Sequence, residues 1–151
     1  MAQKRTLFIP EGSDPMREKF INYIMNRGKK GVARKIFEEC MKIIKEKTKE
    51  NPIKIFEKAV ENVKPNIEVK AQRVGGSVYQ IPREVPSNRQ IMLSYRWILK
   101  GARSKKGAKM AQKLANELID ASNGIGLAVK KKEETHKMAQ ANKAFAHFAR
   151  Y

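Results

Sequence analysis

The sequence predicts a mostly α-helical fold: a six-helix bundle with one protruding two-stranded β-hairpin inserted between helices 3 and 4. Three observations carry that reading. Apolar residues recur at three-and-four spacing through most of the chain. Between residues 67 and 85 the period shortens to two around Gly75-Gly76. The 33 Lys and Arg outnumber the 15 Asp and Glu to leave a net charge of +18, and several predicted helices set a basic face opposite an apolar one.

A basic N-terminal arm, with Lys4 and Arg5, runs to Gly12. Ser13-Asp14-Pro15 then reads as a helix start, a capping residue followed by proline at an early helical position. This first helix carries Phe20, Ile21, Ile24 and Met25 and stops near Asn26-Arg27-Gly28. A second runs from about Gly31 to Lys49, with Ile36, Phe37, Cys40, Ile43 and Ile44 on one stripe. Asn51-Pro52 starts a third, with Ile55, Phe56, Ala59, Val60 and Val63, and Pro65 ends it. Ile67, Val69 and Ala71 alternate with Glu68, Lys70 and Gln72, the period of a strand. After Gly75-Gly76, where positive φ is cheap, a second strand puts Tyr79, Ile81, Arg83 and Val85 on one side. Pro82 has no N–H for a ladder and marks an edge. A lone hairpin is marginal in water, so it is expected to lean on the helices at its base. Three helices follow, over about Asn88 to Arg103, Gly107 to Ser122 and Lys131 to Phe148.

At 151 residues one domain, 1–151, is the natural reading, with 41% hydrophobic residues for one modest core. A charge of +18 opposes compaction, and a polyanionic partner relieves it. Nucleic acid is the commonest such partner and an acidic membrane surface the other. No stretch approaches the ~20 apolar residues of a membrane span, and no membrane partner is expected. One cysteine, Cys40, excludes intramolecular disulfides and any CxxC zinc site. Its place in an apolar stripe makes it a core residue. No secretory signal is visible, so a reducing compartment is expected.

The basic residues make faces. On the fourth helix Arg89, Arg96, Lys100 and Arg103 share one side, opposite Ile91, Tyr95, Ile98 and Ala102, with no acid among them. On the fifth, Lys106, Lys109 and Lys113 oppose Met110, Leu114 and Leu118, while Glu117 and Asp120 mark its second half as solvated. On the sixth, His136, Lys143, His147 and Arg150 oppose Met138, Ala141, Phe145 and Phe148. Solvated faces normally mix signs, so these read as phosphate contacts, which set affinity without reading sequence. Arg73 and Arg83 flank Gly75 and Gly76, whose backbone admits a close RNA strand. Tyr79 either stacks on a base or covers the core. Lys29-Lys30 offers either a phosphate contact at a helix start or a solvated loop. Trp97, among apolar neighbours, is expected in the core. His136 and His147 come with no metal motif, and no nucleophile elbow or phosphate loop is present, so no metal, cofactor or catalysis is expected. A DNA-architectural protein would need a dimer seam or a recognition-helix pair, and an RNA-modifying enzyme a catalytic cluster. Neither is evident.

Several of these stretches together resemble the small-subunit ribosomal protein seven family in its bacterial or organellar form. They are the Gly28-Lys29-Lys30 loop, the run from Ala59 to Lys70, Arg73-Val74-Gly75-Gly76-Ser77-Val78-Tyr79-Gln80-Ile81-Pro82, Arg96-Trp97-Ile98, Leu114-Ala115-Asn116-Glu117-Leu118, and the run from Ala128 to Phe148. The resemblance covers nearly the whole chain in order. It implies early binding to the 3′ major domain of small-subunit ribosomal RNA, folding of the subunit head, and neighbouring head and platform ribosomal proteins. It also implies a hairpin, Arg73 to Arg83, beside the exit-site tRNA and the mRNA path. By position, ribosomal RNA would be met by the arm, Lys29, Lys30, the Arg96 to Arg103 face and Lys130-Lys131-Lys132, and Arg34 is expected among the RNA contacts as well. The arm is less basic than in many bacterial relatives. The expected location is the ribosome of a bacterial cytoplasm, mitochondrion or plastid.

Overall fold

The structure, a computed structural model, describes residues 8–150, with the backbone alone at 150. In order it runs α1 (Pro15–Ile24), α2 (Lys30–Thr48), α3 (Pro52–Val63), β1 (Ile67–Val74), β2 (Ser77–Glu84), α4 (Ser87–Ser104), α5 (Met110–Ser122), α6 (Leu127–Ala141) and a 3-10 helix, Lys143–Arg150. The helical class and the inserted hairpin are as the periodicity predicts. Lys4 and Arg5 lie outside the described residues.

Local chemistry explains the boundaries. Asn51 caps α3 by accepting the Ile53 N–H at 3.1 Å, ahead of Pro52 at the first helical position. Lys49 closes α2 in the left-handed region, φ 56°. Pro15 opens α1, but Asp14 makes no side-chain cap. Ser13 instead donates to Glu18 Oε1 at 2.7 Å. In the hairpin Gly75 and Gly76 take φ of 59° and 88°, the two positive values of a type I′ turn. The antiparallel register runs from Ile67 opposite Glu84 to Val74 opposite Ser77.

The core forms where the helix stripes meet. Phe20 of α1, Phe37 of α2, Phe56 of α3 and Tyr95 of α4 make one aromatic cluster, with Phe20 centred 4.9 Å from Phe56, 5.1 Å from Tyr95 and 6.0 Å from Phe37. Ile44, Cys40, Ile98, Leu114 and Leu118 surround it, all fully buried. The Tyr95 hydroxyl donates to the Met16 carbonyl, and burial pushes its pKa up to about 12. Cys40 is in the core as expected, and desolvation likewise pushes its thiol up to about 12, leaving it unreactive.

The stretch from α6 onward departs from expectation in three places, its start, its end and its core residues. The sixth helix starts at Leu127, not near Lys131, because the buried Glu117 Oε1 accepts the Ala128 N–H at 2.9 Å and organises the first turn there. It ends at Ala141, not Phe148. Asn142 leaves helical geometry and its side-chain amide donates to the Met138 carbonyl at 2.8 Å. The tighter 3-10 helix then aligns residues three apart, so Phe145 and Phe148 both reach Tyr79 of β2, at 5.0 and 5.4 Å. The core residues of α6 are therefore Ala128, Val129 and Ala139, while Met138 and Ala141 are exposed. In the hairpin the register pairs Tyr79 with Gln72, Ile81 with Lys70 and Arg83 with Glu68, so these residues share one face.

Phe20 touches all three other rings of the central cluster. Phe20→Ala should lower the unfolding free energy by about 3–5 kcal/mol, measured by urea denaturation. A loss under about 1 kcal/mol would show that the cluster repacks freely.

Candidate nucleic-acid interface

α4 is rotated by its buried residues. Tyr95, Ile98, Leu99 and Ala102 face the core, which leaves Arg96, Lys100 and Arg103 exposed on the other side. Arg103 Nη2 sits 3.4 and 3.5 Å from the carbonyls of Ile24 and Tyr23 at the end of α1, where a cation meets the negative end of the helix dipole. Arg89 does not belong to this face. Its guanidinium grips Glu68 of β1 with two bonds, Nε to Oε1 at 2.6 Å and Nη2 to Oε2 at 3.1 Å. It ties the hairpin to α4, a pairing invisible on α4 alone because the acid is 21 residues away.

Four more predicted contacts are engaged inside the molecule. Arg34 holds the fully buried Glu18 with Nη1 to Oε1 at 2.6 Å and Nη2 to Oε2 at 2.8 Å, and Lys30 adds a charge at 3.8 Å from Oε2. The Arg34 guanidinium, the Ser13 hydroxyl and the Lys30 charge hold the Glu18 carboxyl at about 2, against the opposing effect of burial. Lys132 donates to the Asn62 carbonyl at 3.0 Å. His136 Nε2 accepts the Asn66 N–H at 3.2 Å, which requires the neutral ring. Burial and nearby Lys132 lower its pKa. With the helix broken at Asn142, the predicted common face of His136, Lys143, His147 and Arg150 is not formed as one α-helical face. Lys143 and His147 are exposed on the 3-10 helix, where His147 packs at 4.0 Å on Phe148, and the Arg150 side chain lies outside the described residues.

Most of the remaining predicted contacts face out. Lys29 is exposed beside Gly28, whose φ is 74°. Lys106 and Lys109 are exposed on the connection before α5, and Lys113 is half-buried in its first turn. Lys130 and Lys131 are exposed at the start of α6. The structure brings Lys100 of α4 together with these two around one groove, floored by Trp97, Gly101 and Leu127. On the hairpin Arg73 is exposed near the open turn glycines. Arg83 is half-buried and donates to Gln72 at 2.7 Å. Tyr79 is half-buried, with Phe148 stacked at 27°, so the hairpin tyrosine serves the contact with the terminal helix.

Sequence reasoning missed two residues that shape this surface. Glu117, expected in solvent, is fully buried: it accepts the Ala128 N–H and lies 3.0 Å from Lys105 Nζ, which also approaches Asp120 at 3.6 Å. Lys105 escaped notice because its partner lies a helix away. Among the described residues, Arg96, Lys100, Lys130 and Lys131 have no ion pair. No group of three or more His, Cys, Asp or Glu side chains among them is placed to hold a metal ion.

A charged, acid-poor surface over a packed helical bundle, with the hairpin between α3 and α4, agrees with the comparisons. Residues 2–143 match the family described as ribosomal protein S7p/S5e. The chain belongs to that family. It is 52% identical over 149 residues to the small ribosomal subunit protein uS7 of Petrotoga mobilis, covering 97% of this chain and 96% of that protein. It is 51% identical over 148 residues to uS7 of Mycoplasma capricolum, covering 97% and 96%. It is 56% identical over 130 residues to uS7 of Desulfatibacillum aliphaticivorans, covering 86% and 83%. Members of this family are structural proteins and not enzymes.

The Glu18 site makes acid sensitivity testable. A carboxyl depressed from 4.5 to about 2 contributes stability that is fully present above pH 4.5 and is lost as pH falls toward 2. At neutral pH the contribution is on the order of 3 kcal/mol. Thermal melts between pH 6 and pH 2 should show a steep decline across that window for the native chain and a flatter one for Glu18→Gln. Parallel curves for the two would remove Glu18 from the acid response.

Proposed function

We propose that this chain, a structural component of the small ribosomal subunit, binds small-subunit ribosomal RNA through the cationic surface of α4 and α6. The observation that carries this reading is the division of labour among charges. The buried acids Glu18 and Glu117 are matched internally by Arg34 and Lys105. Arg96, Lys100, Lys130 and Lys131 are left exposed beside one groove or next to it. Lysine point charges and arginine forks are the side chains that meet phosphates. The N-terminal arm with Lys4 and Arg5, the Lys29 loop, and Lys106, Lys109 and Lys113 extend the same contact.

The RNA target we infer is the 3′ major domain, with binding early enough to nucleate folding of the subunit head. The exposed Arg73 and the open Gly75-Gly76 turn support a hairpin tip that lies near the exit-site tRNA and the mRNA path. Neighbouring head and platform ribosomal proteins complete the surroundings. The location is the ribosome, in a bacterial cytoplasm or an organelle. No helix of the described residues is long and apolar enough to cross a membrane, and the cationic surface is assigned to RNA.

Two measurements test the reading. If about six phosphates are neutralised, affinity for a 3′ major domain transcript should fall by about 10³ between 50 and 200 mM salt, read by filter binding. A flat profile refutes phosphate neutralisation. Replacing Arg96, Lys100 and Arg103 together with Glu should weaken transcript binding by at least about 100-fold, while circular dichroism keeps its helical signal. Binding unchanged, or a preference for duplex DNA over a folded RNA junction, would reassign the surface.

A further inference from the structure

The groove between α4 and the start of α6 has a composition that phosphate contact alone does not require. Its floor is apolar: Trp97, expected in the core, is only half-buried, and Leu127 is 45% exposed. Its rim is cationic, with Lys100 on one helix and Lys130 and Lys131 on the other. Glu134 is the one carboxylate among the lining residues, so the lining keeps a positive excess.

The floor exists because the two helices meet closely at Gly101. A Cβ there would stand 3.0 Å from Glu117 Oε1 and 3.2 Å from the Leu127 Cβ. The buried Glu117 that prevents a side chain at 101 also accepts the Ala128 N–H. It thereby sets the turn from which Lys130 and Lys131 project. The cavity, about 260 Å³, is smaller than the ~300–1,000 Å³ typical of drug-sized ligand sites. A small recess lined by an aromatic ring and by lysines suits a planar group carried on an anionic chain.

We propose that this groove is a pocket for a single unpaired RNA base, with the phosphates on either side of it met by Lys100, Lys130 and Lys131. The base lies against the Trp97 indole and the Leu127 side chain. Stacking of this kind tolerates any base, because every base presents a π-face. Charge complementarity favours RNA over an apolar protein segment. The inference rests on the RNA-binding reading above and adds to it one position where the contact is with a base and not with the backbone.

Trp97 is the only tryptophan, so its emission reports on this groove alone. The full chain is titrated with a 3′ major domain transcript and with a fully paired RNA duplex of equal length, following Trp97 fluorescence and filter binding together. The expected result is binding of both, with emission quenched by the transcript and not by the duplex. Trp97→Ala should weaken transcript binding about tenfold, and Trp97→Phe should restore most of it, as stacking requires. Leu127→Glu puts a like charge beside the phosphates at an exposed position on the first turn of α6, where an acid suits the helix. It should weaken transcript binding about tenfold as well, and it decides the matter if Trp97→Ala loses helicity. Transcript binding with unchanged emission, equal quenching by the duplex, or native affinity in Leu127→Glu overturns the pocket and leaves RNA binding standing. Quenching that appears only after other subunit proteins are added assigns the groove to a protein and also overturns it. Failure of the transcript to bind at all overturns the RNA-binding reading itself.

Discussion

Four rings, one from each of the first four helices, meet at the centre of the bundle, and the direction of nearly every functional side chain follows from that meeting. Phe20, Phe37, Phe56 and Tyr95 meet edge-to-face, tilted or, for Phe56 on Tyr95, stacked, within 6.2 Å of one another where they touch. Aromatic pairs add about 0.5–1.5 kcal/mol each beyond their buried area. Because Tyr95 must point inward, Arg96 and Lys100 must point outward on a helix of 3.6 residues per turn. With only 7% aromatic residues, the chain concentrates them where four helices need a common origin.

A second constraint is the charge. A chain of +18 repels itself on folding, and the fold answers by burying two carboxylates beside cations. Glu18 draws Arg34 and Lys30 against α1, and Glu117 draws Lys105 against α5. An isolated buried carboxylate would be costly, whereas one with a bidentate guanidinium or a backbone N–H is compensated. These pairs also have geometric consequences. Arg34 and Ser13 tie the chain before α1 to α2, and Glu117 decides where α6 begins. The cations left outside are then those whose charge only a polyanion can match.

Much of this was legible in the chain itself, and where it was legible the cause is local. The cap at Asn51, the stops at Gly28 and Pro65, the glycine turn, and the inward stripes of α2, α3 and α4 each depend on residues within a turn or two of one another. The arginine–lysine face of α4 was visible for the same reason. What was missed depends on pairings across the fold. Arg89 and Arg34 read as free cations because Glu68 and Glu18 are 21 and 16 residues away. Glu117 read as solvent because its partners lie on the flanking segments. The sixth helix read as continuous to Phe148, since nothing within that run shows that Tyr79, over sixty residues earlier, offers its ring to Phe145 and Phe148.

By itself, then, the amino-acid order determined the class of fold, the position of the hairpin, the core stripes, the family resemblance and the excess of positive charge, all of which follow from periodicity, capping and composition. Tertiary structure alone decided which cations are spent and which remain. It also decided that Trp97 lies half open between Lys100 and Leu127, and not sealed in the core. The physical reason is that an ion pair or a groove is a relation between surfaces brought together by packing. Its free energy depends on distance and burial, which sequence spacing does not contain.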